Sequence, residues 1–189
     1  MKLEMRTVQK IAAAAMTLAV MFGCVSPLKP LAASAAQNPV SVSAEMDEEK
    51  SCVSAQDQMY QKDFLNLINK ARAKVGLNSV QLGDATHNAA AAERAKELAT
   101  TYSYVRPNGQ RDFTVFAENG IDDVSVGENY LAGVSTPDSA MDQWMNLDFA
   151  RERILNADAT TVSVGHYEGG AYGNYWVLIF SYPENSHTD

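Results

Sequence analysis

Cysteine is nearly absent from this chain, and its two cysteines, Cys24 and Cys52, both lie in the N-terminal third of 189 residues. If a leader carrying Cys24 is removed, Cys52 stands alone and no internal disulfide can form. Cys52 sits in a polar segment and reads as an exposed thiol without an assigned role. Positive charge is also short: 15 Lys and Arg against 23 Asp and Glu give a formal charge of −8. No Lys/Arg cluster interleaved with aromatics occurs, so recognition of a phosphate backbone, and with it nucleic acid, is excluded as a partner. Histidine is limited to His87, His166 and His187, scattered at spacings that suit no zinc motif, so that a metal site would need a new construction such as Glu128 with His166. No Gly-x-Ser-x-Gly elbow is present. Beyond the first residues no stretch is long and apolar enough to span a bilayer, so no transmembrane helix is expected in the mature form.

What is there begins with an export signal. Lys2, Arg6 and Lys10 make a basic start, Ile11 to Phe22 an apolar run, and Leu31-Ala-Ala-Ser-Ala-Ala36 a small-residue cleavage site, so residues 1–36 read as a signal peptide. Cleavage would remove four positive side chains and one negative, taking the charge from −8 to −11. The protein is then expected to be secreted. The alternative is a lipoprotein anchored through Cys24, although Met21-Phe22 fits a lipobox poorly. Residues 37–55 mix Ser and acidic residues with few large apolar groups and read as a disordered polar linker. A folded domain is expected over 56–183, with a polar tail at 184–189. Its core is feasible, because 46% of the chain is hydrophobic.

Within the domain, Tyr60, Phe64, Leu67/Ile68, Ala71 and Val75 recur with helical period over 57–75, and Gly76 ends that helix. Asp84 is placed to cap a second helix containing Ala89 to Ala92, a thin face that lets another element approach closely. Pro107-Asn108-Gly109 marks a turn. A short helix is expected near 113–119, an extended segment over 124–131, and a third helix opening at Thr136 or Pro137-Asp138. A further helical turn covers 150–155. The C-terminus reads as a hairpin, 161–167 and 175–181, joined by a Gly-rich loop over 168–174. Helices followed by a terminal hairpin indicate an α+β class.

The order of these elements resembles the CAP superfamily, which includes plant pathogenesis-related class 1 proteins, cysteine-rich secretory proteins and venom allergens. FLNLINKARAKVGL with VQL resembles the family's first helix and its exit, AAAERAKELA its second, GENYLAG its Gly-Glu-Asn motif, and VSVGHYEGGAYGNYWVLIFS its closing hairpin. No single motif is specific; their order and spacing are. The resemblance implies a bacterial-type α–β–α sandwich, a small antiparallel sheet packed between helices, around a cavity where two histidines and acidic residues converge and in some members bind a divalent metal. In this chain Tyr104 takes the place of the first histidine, in YSYVRPNGQ. Ala150 takes that of the second, in Phe149-Ala150-Arg151-Glu152-Arg153-Ile154-Leu155. Glu128 carries over directly.

The expected site is therefore a degenerate cavity of Tyr104, Glu128, Ala150, Arg151 and Arg153, with Ser103, Asn129 and His166 as possible ligand contacts and no metal, cofactor or catalytic residue assigned. A semi-buried Glu128 carboxylate must be paired or protonated. Arg151 or Arg153, with the Tyr104 hydroxyl, is the expected partner. Ser103 has lost its neighbouring base, and a carboxylate pair of Glu128 with Glu118 or Asp112 is weakly motivated. The expected function is a non-catalytic binding or interaction module at the cell envelope or outside the cell, its partner a protein, cell wall or lipid. The alternatives are a peptidase-like hydrolase and a carrier of a small apolar ligand. Tyr167, Tyr172 and Tyr175 of the hairpin would be either a contact surface or a cover for the core.

Overall fold

The computed structural model describes residues 54–187. The expected signal peptide over 1–36, the expected linker up to residue 53 and both cysteines lie outside them. Helix α1, Ala55–Lys74, starts where the Ser54 hydroxyl accepts from the Asp57 N–H, two residues before the expected start. Its inward stripe is Gln61, Phe64, Ile68 and Arg72. Val75 is not part of it but exposed, because the helix ends one residue earlier and the chain turns away.

After the short strand β1, Gln81–Leu82, Asp84 caps α2, Ala85–Leu98, by accepting from the Thr86 and His87 N–H groups. A five-residue helix α3, Thr114–Glu118, precedes strand β2, Val124–Ala132. Thr136 caps α4, Pro137–Met145, with proline at the first helical turn, where its missing N–H costs nothing. Helix α5 is Asp148–Ile154. The closing hairpin is longer than expected. Strands β3, Thr161–Gly169, and β4, Gly173–Tyr182, pair as far as Gly169 with Gly173, so only three residues remain outside the ladder. Glu184–His187 form a single 3₁₀ turn.

The four strands lie in the order β1-β3-β4-β2. β4 pairs antiparallel with β2 and β3, while β1 pairs parallel to β3 at one edge, so the sheet is mixed at that border. The pleat sends alternate residues to opposite faces. Val162, Val164, Trp176, Leu178 and Phe180 meet Phe64, Ile68, Trp144 and Ile154 from α1, α4 and α5. Tyr175, Val177 and Ile179 meet Ala90, Ala91, Ala95 and Leu98 of α2 and Phe116 of α3 on the other side. The result is an α+β sandwich of helix, sheet and helix.

The alanine face of α2 is a packing device. A Cβ added to Gly165 of β3 would lie 2.1 Å from the carbonyl carbon and oxygen of Ala91, so helix and strand touch backbone to backbone. Arg72 serves the opposite layer. It is fully buried, and its guanidinium donates to the carbonyls of Asn78, Ile154, Asn156 and Ala159, tying α1 to the exit of α5. Burial lowers its pKa below the usual arginine value.

A carboxylate clamp beside an arginine-lined pocket

β2 carries a register irregularity between Ser125 and Gly127. Beyond it, Glu128 points to the α2 layer and Asn129 to the α5 layer. The Glu128 carboxylate, 2% exposed, is gripped by Arg94 of α2 through two bonds of 2.9 Å, Nε to Oε2 and Nη2 to Oε1. Arg94, fully buried, also donates to Glu97 Oε2 at 2.6 Å and to the Ser103 carbonyl at 3.2 Å. Glu97 in turn receives Arg106 from the Arg-Pro-Asn-Gly turn, and Arg106 reaches Glu93 and Glu118. Carboxylate and guanidinium thus alternate from the sheet to the surface.

The charges inside this chain are set by burial and by neighbours. Burial pushes the Glu128 carboxyl up, and Arg94 opposes that rise without cancelling it. Burial also works against the charged Arg94, but Glu128 and Glu97 outweigh it and hold the guanidinium above its usual value. Glu97 is pushed up by its partial burial, but Arg106 and Arg94 overcome that and hold it below the ordinary carboxylate range.

On the outer side of Glu128 lies a pocket of about 260 Å³, walled by Tyr104, Arg111, Asp112, Phe113 and Arg153 and floored by β2 from Ser125 to Glu128. Arg153 reaches it from α5. One nitrogen, Nη1, donates to the Tyr104 hydroxyl at 3.1 Å, the Glu128 carbonyl at 3.0 Å and the Asn129 Oδ1 at 3.2 Å. Its guanidinium lies 5.6 Å from the ring centroids of both Tyr104 and Phe149.

Over most of this domain the chain matches a known family. The model of the CAP family, the cysteine-rich secretory protein family, covers residues 65–180. The chain belongs to the CAP family.

This CAP chain is 30% identical over 113 residues to the uncharacterized Bacillus subtilis protein YkwD, covering 59% of this chain and 44% of YkwD. It therefore spans less than half of that relative's length. An outer surface protein of Borrelia burgdorferi shares the fold at a TM-score of 0.59 and 17% identity, over 69% of this chain and 95% of that one. An extracellular SCP-domain protein of Bacillus anthracis gives 0.59 and 18%, over 74% of this chain and 45% of that one. These similarities establish a bacterial-type CAP fold, found in proteins described as extracellular or outer-surface.

Of the residues expected at the cavity, the CAP fold brings Tyr104, Glu128 and Arg153 to one pocket. The expected pairing needs correction. The Glu128 carboxylate is held by Arg94, and Arg153 takes only the Glu128 backbone carbonyl. Arg151 points elsewhere, to Asp148 and the Met145 carbonyl, because it lies on the outer side of the short α5. Ala150 is fully buried in the α1–α4–α5 core, where its carbonyl accepts from Asn129 Nδ2, and it does not wall this pocket. Asn129 thereby staples β2 to α5 and is itself 1% exposed. Glu118 is engaged by Arg106.

Ser103 uses its hydroxyl to accept from the Val105 N–H, shaping the turn. His166 belongs to the other face of the sheet. It stacks on Trp176 at 4.2 Å and contacts Asp57 and Asn174, so it cannot join Glu128 across the β-layer. His87 sits between Asp84 and Asp123, a structural position. In the hairpin, Tyr175 is buried beneath the loop while Tyr172 is 61% exposed.

The donor set can be tested for a divalent ion, as the family resemblance invites. Both Glu128 oxygens are taken by a buried guanidinium, which leaves Asp112 as the other carboxylate of the pocket wall, and Arg153 and Arg111 on that wall repel a metal. These residues do not fit a metal centre. Sequence reasoning missed Arg94 and Arg106 altogether. One signal was available for Arg94: it falls four residues after Ala90 and three after Ala91, on the face that Ala95 and Leu98 continue, where a charge must find a partner.

Proposed function

We propose that this CAP domain is a non-catalytic binding module, exported and acting at the cell envelope or outside the cell. The observation that carries the reading is the sequestration of Glu128. A carboxylate bound through both oxygens to a buried arginine is available neither as a general base nor as a metal ligand. Tyr104 and Ala150, standing at the places of the family's two cavity histidines, support the same view of a degenerate cavity. The apolar residues at the start of the chain, and relatives described as extracellular or outer-surface, support export.

The test is thermal melting with and without Zn²⁺, Mg²⁺ and Ca²⁺. A bound ion at a hundredfold excess over its Kd would stabilise the fold by about 2.7 kcal/mol, a shift of several degrees. Unchanged melting is expected. Stabilisation by one of these ions that disappears in Glu128→Gln would overturn the proposal and return the domain to metal-assisted chemistry.

A further inference from the structure

The geometry points to a carboxylate-binding pocket around Arg153, shaped for the end of an N-acylated amino acid such as a peptide C-terminus. This rests on the reading of the domain as a binding module and names the class of its ligand. Three features support it.

Among the described residues, no carboxylate lies within 4 Å of the Arg153 guanidinium, which is held in place by neutral groups. Arg94, Arg106, Arg111 and Arg151 each have a carboxylate within 4 Å, whereas the Arg153 guanidinium meets neutral oxygens and aromatic faces. All three hydrogen bonds use Nη1, leaving the Nη2 side of the fork for another acceptor. Clamped between Tyr104 and Phe149, the group is pre-organised, so little entropy is lost when an anion arrives. Arg72 also meets only neutral oxygens, but it is fully buried with its guanidinium spent on four carbonyls, whereas Arg153, which lines a pocket, is partly exposed. The backbone makes room for it: a Cβ at Gly127 would stand 2.8 Å from both Cδ and Nε of Arg153.

The second feature is Asp112, on the wall of the same pocket. Its Oδ1 is buried and finds no hydrogen-bond donor in the protein, and Arg111 Nε, at 3.7 Å, is too distant to serve. Asp112 is itself a carboxylate on the wall that Arg153 shares, so it repels a bare anion and favours a ligand that turns an N–H toward it and its own negative charge toward Arg153. An acylated α-amino acid does so, its amide nitrogen and carboxylate being attached to one carbon. Free acetate offers only the charge, and the corresponding terminal amide only the N–H.

The third feature is the apolar border. Phe113 walls the pocket and Phe149 covers Arg153, and both rings are about half exposed. They suit an apolar or aromatic terminal side chain, with the rest of the peptide leaving toward solvent.

The experiment is titration of the purified protein, by calorimetry, with N-acetyl-phenylalanyl-phenylalanine, its C-terminal amide and acetate. The free acid is expected to bind at least about tenfold more tightly than either control, the difference a charged pair makes. Arg153→Gln should abolish that preference and Arg153→Lys should retain part of it, since the charge remains but the fork is lost. Melting curves of both variants identify any failure to fold. Equal binding of acid and amide, or wild-type affinity in a folded Arg153→Gln, would overturn the carboxylate site. Mass spectrometry of the incubated dipeptide separates this proposal from the one above. Arg153-dependent binding with the peptide intact supports both, whereas cleavage of the bound peptide would overturn the non-catalytic reading and leave the carboxylate site standing.

Discussion

Replacing Glu128 by alanine takes from a fully buried guanidinium the carboxylate that holds two of its donors. Arg94 is fully buried and gives Glu128 two charged hydrogen bonds of 2.9 Å. Removing one member of a buried ion pair typically costs about 3–5 kcal/mol, most of it the desolvation of the charge left behind. Arg94 keeps Glu97 at 2.6 Å and the Ser103 carbonyl, which places the loss at the lower end, about 3 kcal/mol. For a domain of this size that corresponds to a fall in Tm of roughly 10 °C. Glu128→Gln keeps the shape and one acceptor but loses the charge, and should cost about 2 kcal/mol. The informative variant is the pair Arg94→Met with Glu128→Leu. It removes both charges, leaves Glu97 bonded to Arg106, and should be more stable than Glu128→Ala alone. Urea denaturation followed by far-ultraviolet dichroism measures all three. A Glu128→Ala protein with the wild-type midpoint and slope would refute the reasoning, because it would mean that the pair contributes nothing beyond what water supplies.

Two other consequences are open to measurement. Glu97 has its pKa lowered in the folded state, so the stability it contributes is present above the unfolded glutamate value of about 4.3 and is lost as pH falls through the folded value. Stability should therefore decline below about pH 4.3, and Glu97→Gln should flatten that decline while lowering stability at neutral pH; an unchanged acid limb would show that the arginine chain does not set it. Gly165→Ala drives a methyl group into the Ala91 carbonyl from 2.1 Å, and prising α2 from β3 should cost about 3 kcal/mol, the upper range for overpacking. A loss under about 1 kcal/mol in chemical denaturation would mean that the helix slides away freely.

Local chemistry made several features of this protein legible in the sequence. The caps at Asp84 and Thr136, the proline that opens α4, the alanine face of α2 and the strong β-propensity of 175–181 each depend on residues a few positions apart. The CAP order of motifs then placed Tyr104 and Glu128 together, and the structure brings both to the pocket. The partner of Glu128 was decided otherwise. Arg94 lies 34 residues away, and nothing in the spacing of either segment states that α2 covers β2. Arg151 and Arg153 looked equivalent because they are two residues apart. On a helix that separation turns them to different sides, one toward Asp148 at the surface and one into the pocket. Ala150 followed the motif but faces the core, its carbonyl engaged by Asn129. Sequence by itself determined which stretches are helix or strand and which faces are apolar, because those follow from near-neighbour sterics and periodic burial. Tertiary structure alone decided which charges meet between elements, as Arg94 meets Glu128, because such a buried pair depends on a few ångströms between segments far apart in the chain, and only packing sets those distances.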